Sequence, residues 1–509
     1  MLLLLMYLWG MLASIALTPL VIRVARSGNV LDLPGLRKVH RRAIPRLGGV
    51  AISLSVASVA IPIALGAQVL GIDRLPGGER ILALLCCAMA VFTVGLVDDV
   101  RQVPARTKML CQVLAAVAAC EWGIRIESID LGDWFSLELG WWSWPVTVLW
   151  IVGITNAVNL IDGLDGLAAG ISAVACGVIA IFCMHSGQWG MAALMLAALG
   201  SLCGFLLFNF HPARIFLGDS GTYFLGFLLG GASVVSSAKA STIVGLALPA
   251  LALGLPIFDT LFSMMRRWLN RRSVFAPDSS HIHHRLLKMG LRHRHVVLVL
   301  YGVTLMSAST ALIMILASGT EALVVFIAEL VLLVLVFKSV GVVALRQGLS
   351  MAKRNLHIAR AARQDTRNFE NAQLRLNDVF SFEDWWQGVC GAAGDLGLQR
   401  VWLHSTDRTG RRRVLVWSTP NYVSNSGHSV KIAVPVRDRR AGSTLRGEVE
   451  IPVNGSLEAA GRKAWLFSRL MDEQGVSQLP RRSAPQRPWI SPPQDDPAQP
   501  QQAERTHGA

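Results

Sequence analysis

Two kinds of polar cluster interrupt an otherwise apolar sequence, and the first kind is acidic. Its members are Asp98, Asp99, Asp162, Asp165 and Asp219. The spacing of Asp162 and Asp165 predicts that one helical turn places both carboxylates on one face. Converging carboxylates repel one another unless a cation neutralises them, and oxygen ligands favour a hard metal such as Mg²⁺, with Mn²⁺ as the alternative. These residues therefore predict a divalent-metal site, while a solvated helix end or a structural polar turn is the alternative for each cluster.

The second kind of cluster is basic and contains histidines. The segment HIHHRL lies in a loop rich in cations, which include Arg272, His281, His283, His284, Arg285 and Lys288. Imidazole and guanidinium groups bind phosphate, and simple solvation of the histidines is the alternative. The eight cysteines form no CxxC pair, so neither zinc nor a disulfide framework is predicted. Asp259, in the segment PIFDT, either contacts a ligand or caps a helix end.

The apolar segments between these clusters are long enough to cross a membrane. Of the 509 residues, 52% are hydrophobic and 16% are charged, whereas soluble proteins carry about a quarter charged residues. Apolar runs of roughly 18 or more residues indicate transmembrane helices, and the first run lacks the positive region of a signal peptide. We predict eleven spans, at 1–22, 47–70, 81–97, 108–124, 146–160, 165–185, 189–208, 221–237, 241–263, 296–317 and 321–340.

Lysine and arginine residues concentrate in alternate loops, mainly 23–46, 98–107 and 264–295. The positive-inside rule places these loops and the C-terminus in the cytoplasm and the N-terminus outside. This placement explains the net charge of +15 through topology and anionic membrane lipids, without nucleic acid as a partner. It also brings every polar cluster, including the basic segment with Lys38 and His40, to one face of the membrane. For that basic segment, ordinary positive-inside charge is the alternative.

The predicted fold class is an all-α polytopic membrane protein with a small C-terminal α/β domain in the cytosol. Residues 1–342 form the transmembrane domain, in which segment 125–145 predicts a short hairpin on the outer side. Residues 343–379 are charged and rich in helix formers, which predicts a linker helix. Residues 380–472 alternate as strands and helices of a soluble domain without an assigned role. The Pro- and Gln-rich residues 473–509 predict a disordered tail.

The polar motifs, taken in order, resemble those of the polyprenyl-phosphate N-acetylhexosamine-1-phosphate transferases, the MraY/WecA-type glycosyltransferase family 4. The matches are DD at 98–99, NxxNxxDGxDGL at 156–167, FNxxPAxIFLGDxGT at 208–222, PxxD at 256–259 and HxHH at 281–284. The resemblance covers about residues 1–340. It implies transfer of a sugar 1-phosphate from a UDP-N-acetylhexosamine to undecaprenyl phosphate, with release of UMP. It also implies a bacterial inner-membrane enzyme with a periplasmic N-terminus, and it is compatible with a homodimer.

The resemblance implies roles for individual residues. Asp219 resembles the principal Mg²⁺ ligand, Asp99 a supporting ligand, and Asp98 the group that deprotonates or orients the lipid phosphate. The implied catalytic groups are Asp98, Asp99, Asp162, Asp165, His281, His283 and His284. The implied substrate contacts are Lys38, His40, Lys108, Asn156, Asn159, Asn209, Phe216, Asp259 and Arg285.

Details of the motifs select a branch of the family. The HIHH segment resembles the WecA-like branch, which favours UDP-GlcNAc as donor for envelope polysaccharides such as the O-antigen of lipopolysaccharide. Gln102 stands where some members carry a third acidic residue, so no carboxylate acts there. The alternatives are a phospho-MurNAc-pentapeptide transferase of peptidoglycan synthesis and, outside the family, a transporter with carboxylate relays. A transporter predicts repeated halves and polar residues near the bilayer midplane, and the sequence has neither.

Overall fold

The chain divides into two compact units in a computed structural model, Met1–Gly348 and Leu349–Ala509. The residues that the structure describes are 1–33, 43–69, 78–130, 136–237, 243–269, 281–317, 319–341, 345–406, 412–420, 429–436, 444–453 and 456–475.

The first unit is built from helices. They are α1 (Leu2–Ser27), α2 (Gly48–Val69), α3 (Gly78–Val100), α4 (Ala105–Glu121), α5 (Ser143–Ile161), α6 (Leu167–His185), α7 (Trp189–Asn209), α8 (Gly218–Ser237), α9 (Ile243–Ala252), α10 (Gly254–Leu269), α11 (Ile282–Lys288), α12 (His293–Met314) and α13 (Gly319–Ser339). Two short antiparallel hairpins join them, β1 (Leu31–Asp32) with β2 (Ile44–Pro45), and β3 (Ser128–Asp130) with β4 (Ser136–Glu138). The second hairpin lies in segment 125–145, where a hairpin is predicted.

Seven helices in the described ranges are long and apolar enough to cross a membrane. They are Leu2–Ser27, Gly78–Val100, Gly140–Ile161, Leu167–His185, Trp189–Asn209, His293–Met314 and Thr320–Ser339. Helices α2, α4 and α8 coincide with three further predicted spans. The prediction of a polytopic, mainly helical membrane protein with a C-terminal α/β region is therefore confirmed.

One predicted span is wrong as a single helix. The segment 241–263 is divided between α9 and α10, with Leu253 between the two helices. Pro249 and Pro256 flank the break, and proline lacks the N–H that a continuous helix needs. Hydropathy records an uninterrupted apolar run here, so it cannot detect the break.

Helix α8 is the centre of the first unit and is buried along nearly its whole length. Neighbouring helices approach its backbone closely at glycines. A Cβ atom added to Gly95 of α3 would lie 2.6 Å from the carbonyl oxygen of Asp219, and one added to Gly226 would lie 2.6 Å from Cα of Thr155 in α5. Because only glycine permits these distances, the sequence fixes α3 and α5 against α8 at the level where the acidic motifs end.

A backbone ladder ties the first loop to the segment that precedes α8. The N–H of Phe216 donates to the carbonyl of Pro45 at 2.8 Å, and the N–H of Gly48 donates to the carbonyl of Phe216 at 3.0 Å. The N–H of Gly49 donates to the carbonyl of Leu217 at 2.9 Å. These bonds satisfy the backbone of both loops and place the segment around residue 46 beside the start of α8.

The second unit contains a four-stranded antiparallel sheet and helices. Its elements are β5 (Arg400–Thr406), β6 (Arg412–Ser418), β7 (Ser429–Pro435), β8 (Thr444–Pro452), α15 (Phe382–Asp395) and α16 (Leu457–Glu473), together with most of α14 (Leu345–Asn377). The strand order is β6-β5-β8-β7. Val401 and Leu403 alternate with Arg400 and Trp402 along β5, so one sheet face is buried and the other is not.

Helix α14 is more than a connection between the units. Its residues Phe369, Ala372 and Leu376 are buried in the same hydrophobic core as Trp385 of α15 and Phe467 of α16. The boundary between the units falls within α14, at Gly348, so most of the predicted linker 343–379 packs as part of the C-terminal unit. Of the predicted tail 473–509, residues 476–509 lie outside the described part of the chain.

Candidate active site

A cavity of about 900 Å³ lies in the first unit, and most of the predicted polar motifs meet around it. Side chains from the ends of several helices and from the intervening loops form its wall. Its polar lining consists of Arg26, Asp32, Arg46, Asn159, Asp162, Asp165, Asn209, His211, Arg214, Asp219, His284 and His293, with Phe216 beside them.

Asp219, in the first turn of α8, is the centre of the polar network. Its Oδ2 atom is 3.3 Å from Nζ of Lys108, and its Oδ1 atom accepts a hydrogen bond from Nδ2 of Asn159 at 3.1 Å. The guanidinium of Arg46 is 4.0 Å from the same Oδ1 atom. The preceding residue, Gly218, has φ +76°, where a Cβ atom would collide with the Arg46 carbonyl. The position of this carboxylate therefore depends on α4, α5, the loop that carries Arg46 and the start of α8 itself.

Asp98 forms a partly buried ion pair with Lys108, which also pairs with Asp219. Its Oδ2 atom accepts from Nζ of Lys108 at 2.9 Å, and its Oδ1 atom accepts from the N–H of Val103 at 2.7 Å. Lys108 of α4 thus joins a carboxylate of α3 to one of α8. We call Asp98, Asp99, Lys108 and Asp219 the acidic cluster.

Asp99 has a different position from the one predicted for a metal ligand. Its carboxylate is fully buried and accepts hydrogen bonds from the N–H of Asp219 at 2.9 Å, the N–H of Ser220 at 3.0 Å and Oγ of Ser220 at 2.7 Å. Arg46 lies 3.4 Å away. The carboxylate therefore caps the positive N-terminus of α8 from a neighbouring helix. This geometry favours a role in positioning Asp219 over direct coordination of a metal.

Residues 162–166 form a loop, so the prediction that a helical turn carries Asp162 and Asp165 is wrong. Helix α5 ends at Ile161, and Gly166 has φ +82°, so Asp162 and Asp165 do not share a helix face. Glycines at 163 and 166 disfavour continuation of the helix. Burial, together with the charges of Asp219 and Asp99, raises the pKa of Asp162 to about 8.

The two asparagines of α5 face different partners. Nδ2 of Asn159 donates to Oγ1 of Thr222 at 2.9 Å as well as to Asp219, so it lies at the acidic cluster. Nδ2 of Asn156 instead donates to Oε1 of Gln112 at 2.7 Å and to the carbonyl of Val152. The predicted substrate contact at Asn156 is thus oriented toward α4.

The segment 209–217 contributes two predicted residues to the cavity wall. Asn209 is buried, and its Nδ2 atom donates to the carbonyl of Ile215 at 2.8 Å, which closes the loop. Phe216 is held through its backbone by Pro45 while its side chain lines the cavity. Asn209 therefore shapes the loop that presents Phe216.

The HxHH segment divides into a buried part and a cavity part. His281 and Asp259 form a buried pair, with 2.9 Å between Nδ1 and Oδ2, and the N–H of Ile282 donates to Oδ1 of Asp259 at 2.9 Å. Asp259, predicted as a substrate contact, thus caps α11 and orients His281. Burial, with a smaller contribution from His284, lowers the pKa of His283 to about 3, so this imidazole is neutral.

Among the three histidines of this segment, His284 is the one that lines the cavity. Nη1 of Arg285 donates to the carbonyl of Gly341, so this predicted substrate contact is directed to the segment after α13. The predicted residues Lys38 and His40 lie outside the described residues.

Arg46, His211 and His293 are among the cavity residues for which the sequence predicted no functional role. Nδ1 of His211 is 2.8 Å from Oδ2 of Asp165, and Nε2 of His293 accepts the N–H of Asp165 at 3.1 Å. We call Asp165, His211 and His293 the histidine cluster. His211 is inside the motif FNFHPA, which could have identified it, but no sequence signal pairs it with Asp165.

The oxygen atoms facing the cavity fit a hard divalent cation. Asp162 and Asp219 both line the cavity, and each raises the electrostatic cost of ionising the other. A carboxylate oxygen can accept more than one partner, so the bonds to Lys108 and Asn159 leave Asp219 able to bind a metal. Carboxylate ligands without cysteine suit Mg²⁺ or Mn²⁺.

Comparison with known proteins gives a consistent result. The family model of glycosyl transferase family 4 matches residues 81–237, which include all of the acidic cluster. A probable undecaprenyl-phosphate N-acetylglucosaminyl 1-phosphate transferase of Bacillus subtilis (strain 168) is 38% identical, over 60% of this chain and 84% of the relative. A decaprenyl-phosphate N-acetylglucosaminephosphotransferase of Mycobacterium leprae (strain TN) is 35% identical, over 57% and 80%. A phospho-N-acetylmuramoyl-pentapeptide-transferase of Desulforudis audaxviator (strain MP104C) is 31% identical, over 58% and 93%.

Proposed function

Because the chain belongs to glycosyl transferase family 4, we propose that it transfers N-acetylglucosamine 1-phosphate from UDP-GlcNAc to undecaprenyl phosphate. UMP is the second product, and the lipid-linked sugar starts an envelope polysaccharide. Two of the relatives above are named for N-acetylglucosamine phosphate transfer to a polyprenyl phosphate, and they are more similar than the muramoyl-pentapeptide transferase. This order supports N-acetylglucosamine over the pentapeptide substrate.

The observation that carries the proposal is the meeting of Asp98, Lys108 and Asp219 from three helices beside one cavity. Phosphoryl transfer depends mainly on positioning and on neutralisation of negative charge. Arg46 on the cavity wall and Lys108, which pairs with Asp219, supply positive charge next to carboxylates that suit a metal. Because the contacts come from packed helices, this arrangement exists before any substrate binds.

We assign a Mg²⁺ ion, or Mn²⁺ in its place, to the carboxylates of Asp219 and Asp162. When bound, such an ion polarises a phosphoryl oxygen and neutralises the diphosphate of the donor. Asp99 supports this site indirectly, because its hydrogen bonds fix the backbone of Asp219 and Ser220.

The protein groups then act on the acceptor. Lys108 lies between Asp98 and Asp219, where its charge attracts the phosphate of undecaprenyl phosphate. Both oxygens of Asp98 already accept hydrogen bonds, which favours an orienting role for Asp98. In the proposed reaction an oxygen of the lipid phosphate attacks the β-phosphorus of the donor directly. One P–O bond forms to the lipid phosphate, and the bond to UMP breaks.

The proposed location is the bacterial inner membrane, with the cavity and the C-terminal unit in the cytoplasm and the N-terminus in the periplasm. The basic loops support this orientation, since Arg26 and Arg46 lie on the cavity side. Reporter fusions after residues 27 and 475 should both report the cytoplasm, because residue 27 follows the first helix, and a periplasmic signal at either position would contradict the orientation.

The function is tested by measuring UMP release from purified protein with UDP-GlcNAc, undecaprenyl phosphate and Mg²⁺. Wild type should release UMP only when the lipid is present, and Asp219→Asn should lower the rate by at least about a hundredfold. Asp378→Asn, at an exposed aspartate of the second unit, is the matched control and should retain the wild-type rate. A transporter would release no UMP. A preference for UDP-MurNAc-pentapeptide would contradict the proposal that UDP-GlcNAc is the donor. A phosphorylated enzyme formed with UDP-GlcNAc alone would contradict direct attack by the lipid phosphate.

A further inference from the structure

The histidine cluster lies on the cavity wall, and the proposed reaction gives it no role. Asp165 is in the loop after α5, His211 is in the loop after α7, and His293 is the first residue of α12. Three segments that are distant in sequence therefore meet at one point of the wall. All three side chains line the cavity.

The orientation of the His211 ring is fixed on several sides. An ionised aspartate only accepts hydrogen bonds, so Nδ1 of His211 donates to Oδ2 of Asp165, at 2.8 Å. The same oxygen accepts the N–H of Ala213 at 3.1 Å. The ring stacks on His293, with 4.5 Å between centroids and 23° between planes, and Nη2 of Arg294 donates to the His211 carbonyl at 3.3 Å.

This arrangement leaves one polar atom of the ring for a ligand. With Nδ1 bonded to Asp165, Nε2 is on the opposite edge and makes no hydrogen bond within the described part of the chain. The His211 side chain is 38% exposed, although its contacts with Asp165 and His293 fix the orientation of the ring. A side chain held rigidly at a cavity by its neighbours has the geometry of a preorganised recognition group.

We propose that Nε2 of His211 accepts a hydrogen bond from the hexosamine of the donor, either from a hydroxyl or from the acetamido N–H. The proposal rests on the function proposed above. An imidazole whose proton is on Nδ1 presents a lone pair at Nε2, which attracts a donor group and repels phosphate oxygens. The carboxylate of Asp165 beside it likewise suits hydroxyls, whereas the diphosphate is better accommodated near Lys108 and Arg46.

A transition metal held by the histidine cluster is the main rival. The ligand atoms of the three residues lie within 4.8 Å of one another. However, the two imidazole rings are stacked nearly parallel, so their lone pairs do not converge on one point. Two hydrogen bonds already join the three residues, through Nε2 of His293 and Nδ1 of His211, and a metal at these atoms would have to break them.

Two substitutions separate the two edges of the ring. His211→Asn keeps an amide near the position of Nδ1, so it preserves the hydrogen bond to Asp165. It removes the acceptor that Nε2 provides on the opposite edge of the ring. His211→Gln places an amide near the position of Nε2, so it preserves a hydrogen-bond acceptor there. His295→Asn is the matched control, because His295 is an exposed histidine on α12.

Steady-state UMP release should show an increase of about three- to tenfold in the KM for UDP-GlcNAc in His211→Asn. The increase should be smaller in His211→Gln and absent in His295→Asn. The inhibition constant of UMP, which lacks the sugar, should stay at the wild-type value. The preference for UDP-GlcNAc over UDP-glucose or UDP-GalNAc should decrease in His211→Asn.

Other outcomes would overturn the proposal. An unchanged KM for the donor, or an equal change in the UMP constant, would remove His211 from sugar recognition. Loss of bound Zn²⁺ or Mn²⁺ in His211→Asn, measured by equilibrium dialysis of the metal alone, would assign a metal site instead. Wild type that neither binds UDP-GlcNAc in calorimetry nor releases UMP would overturn the proposed function itself, whereas an active wild type with an unaffected variant overturns only the role of His211.

Discussion

The histidine cluster lines the cavity, and the acidic cluster reaches the same cavity through Asp219, but the two clusters are held in place in different ways. Asp98 and Asp99 are at the end of α3, Lys108 is on α4, and Asp219 begins α8. Their positions follow from helix packing at contacts such as Gly95 against the Asp219 backbone. In the histidine cluster, two of the three residues belong to loops, and side-chain hydrogen bonds hold those loops together.

The two arrangements suit different tasks. A reacting phosphoryl group needs charges at fixed places, and packed helices position side chains more firmly than loops do. Recognition of a particular sugar requires groups that can differ between related enzymes, and loops can change without disturbing a core. The comparison therefore predicts that changes at the acidic cluster reduce stability and activity together. Changes at the histidine cluster should mainly affect donor binding.

The largest effect is expected from Asp99→Ala. The substitution leaves the N–H groups of Asp219 and Ser220 without an acceptor and Arg46 without its closest carboxylate. Breaking such a buried charged network costs roughly 3–5 kcal/mol, so the thermal unfolding temperature in detergent should fall and UMP release should be lost. Asp165→Ala, measured in parallel, should unfold near the wild-type temperature. Equal destabilisation by the two substitutions would contradict the comparison.

A smaller effect is expected from Gly95→Ala, which tests the helix packing directly. The added Cβ atom would lie 2.6 Å from the carbonyl oxygen of Asp219, which is backbone and cannot rotate away. Overpacking of this kind costs about 1–3 kcal/mol, and the displaced Asp219 should lower kcat. Gly153→Ala is the matched control, because no atom lies within 4 Å of its added Cβ. A wild-type kcat in Gly95→Ala would show that the position of Asp219 does not depend on this contact.

The difference between the clusters also explains what the sequence could predict. Apolar runs predicted most helices of the first unit, and alternation predicted the strands of the second, because burial follows hydropathy. The acidic cluster was predictable because its residues lie at the ends of those helices. The pairing of Asp165 with His211, 46 residues apart, depends on loop conformation, which local pattern does not encode. The same limit applies to Asp259, whose bond to His281 spans 22 residues.

The next prediction concerns this buried pair, which holds the segment that carries His284. Asp259→Asn preserves the volume but weakens one of the two hydrogen bonds, to His281 or to the N–H of Ile282. Loss of a hydrogen bond with a charged partner costs about 1.5–3 kcal/mol, so kcat/KM should fall by about ten- to a hundredfold. In a double-mutant cycle, His281→Asn should add little to Asp259→Asn. Additive losses would show that the two residues act separately.

The smallest effect is expected from Tyr301→Phe, which alters the support of loop 162–166 from α12. The hydroxyl of Tyr301 donates to the carbonyl of Gly166 at 2.6 Å, while its ring packs against Gly170 and Phe210. Phenylalanine keeps the ring contacts and removes one hydrogen bond, a loss of about 0.5–1.5 kcal/mol. Because this bond steadies the loop that carries Asp165, the KM for UDP-GlcNAc should rise by roughly two- to tenfold, with kcat and the unfolding temperature nearly unchanged. A fall in kcat comparable to that of Gly95→Ala would mean that the loop also positions the reacting groups, and the two clusters would then have to be treated as one.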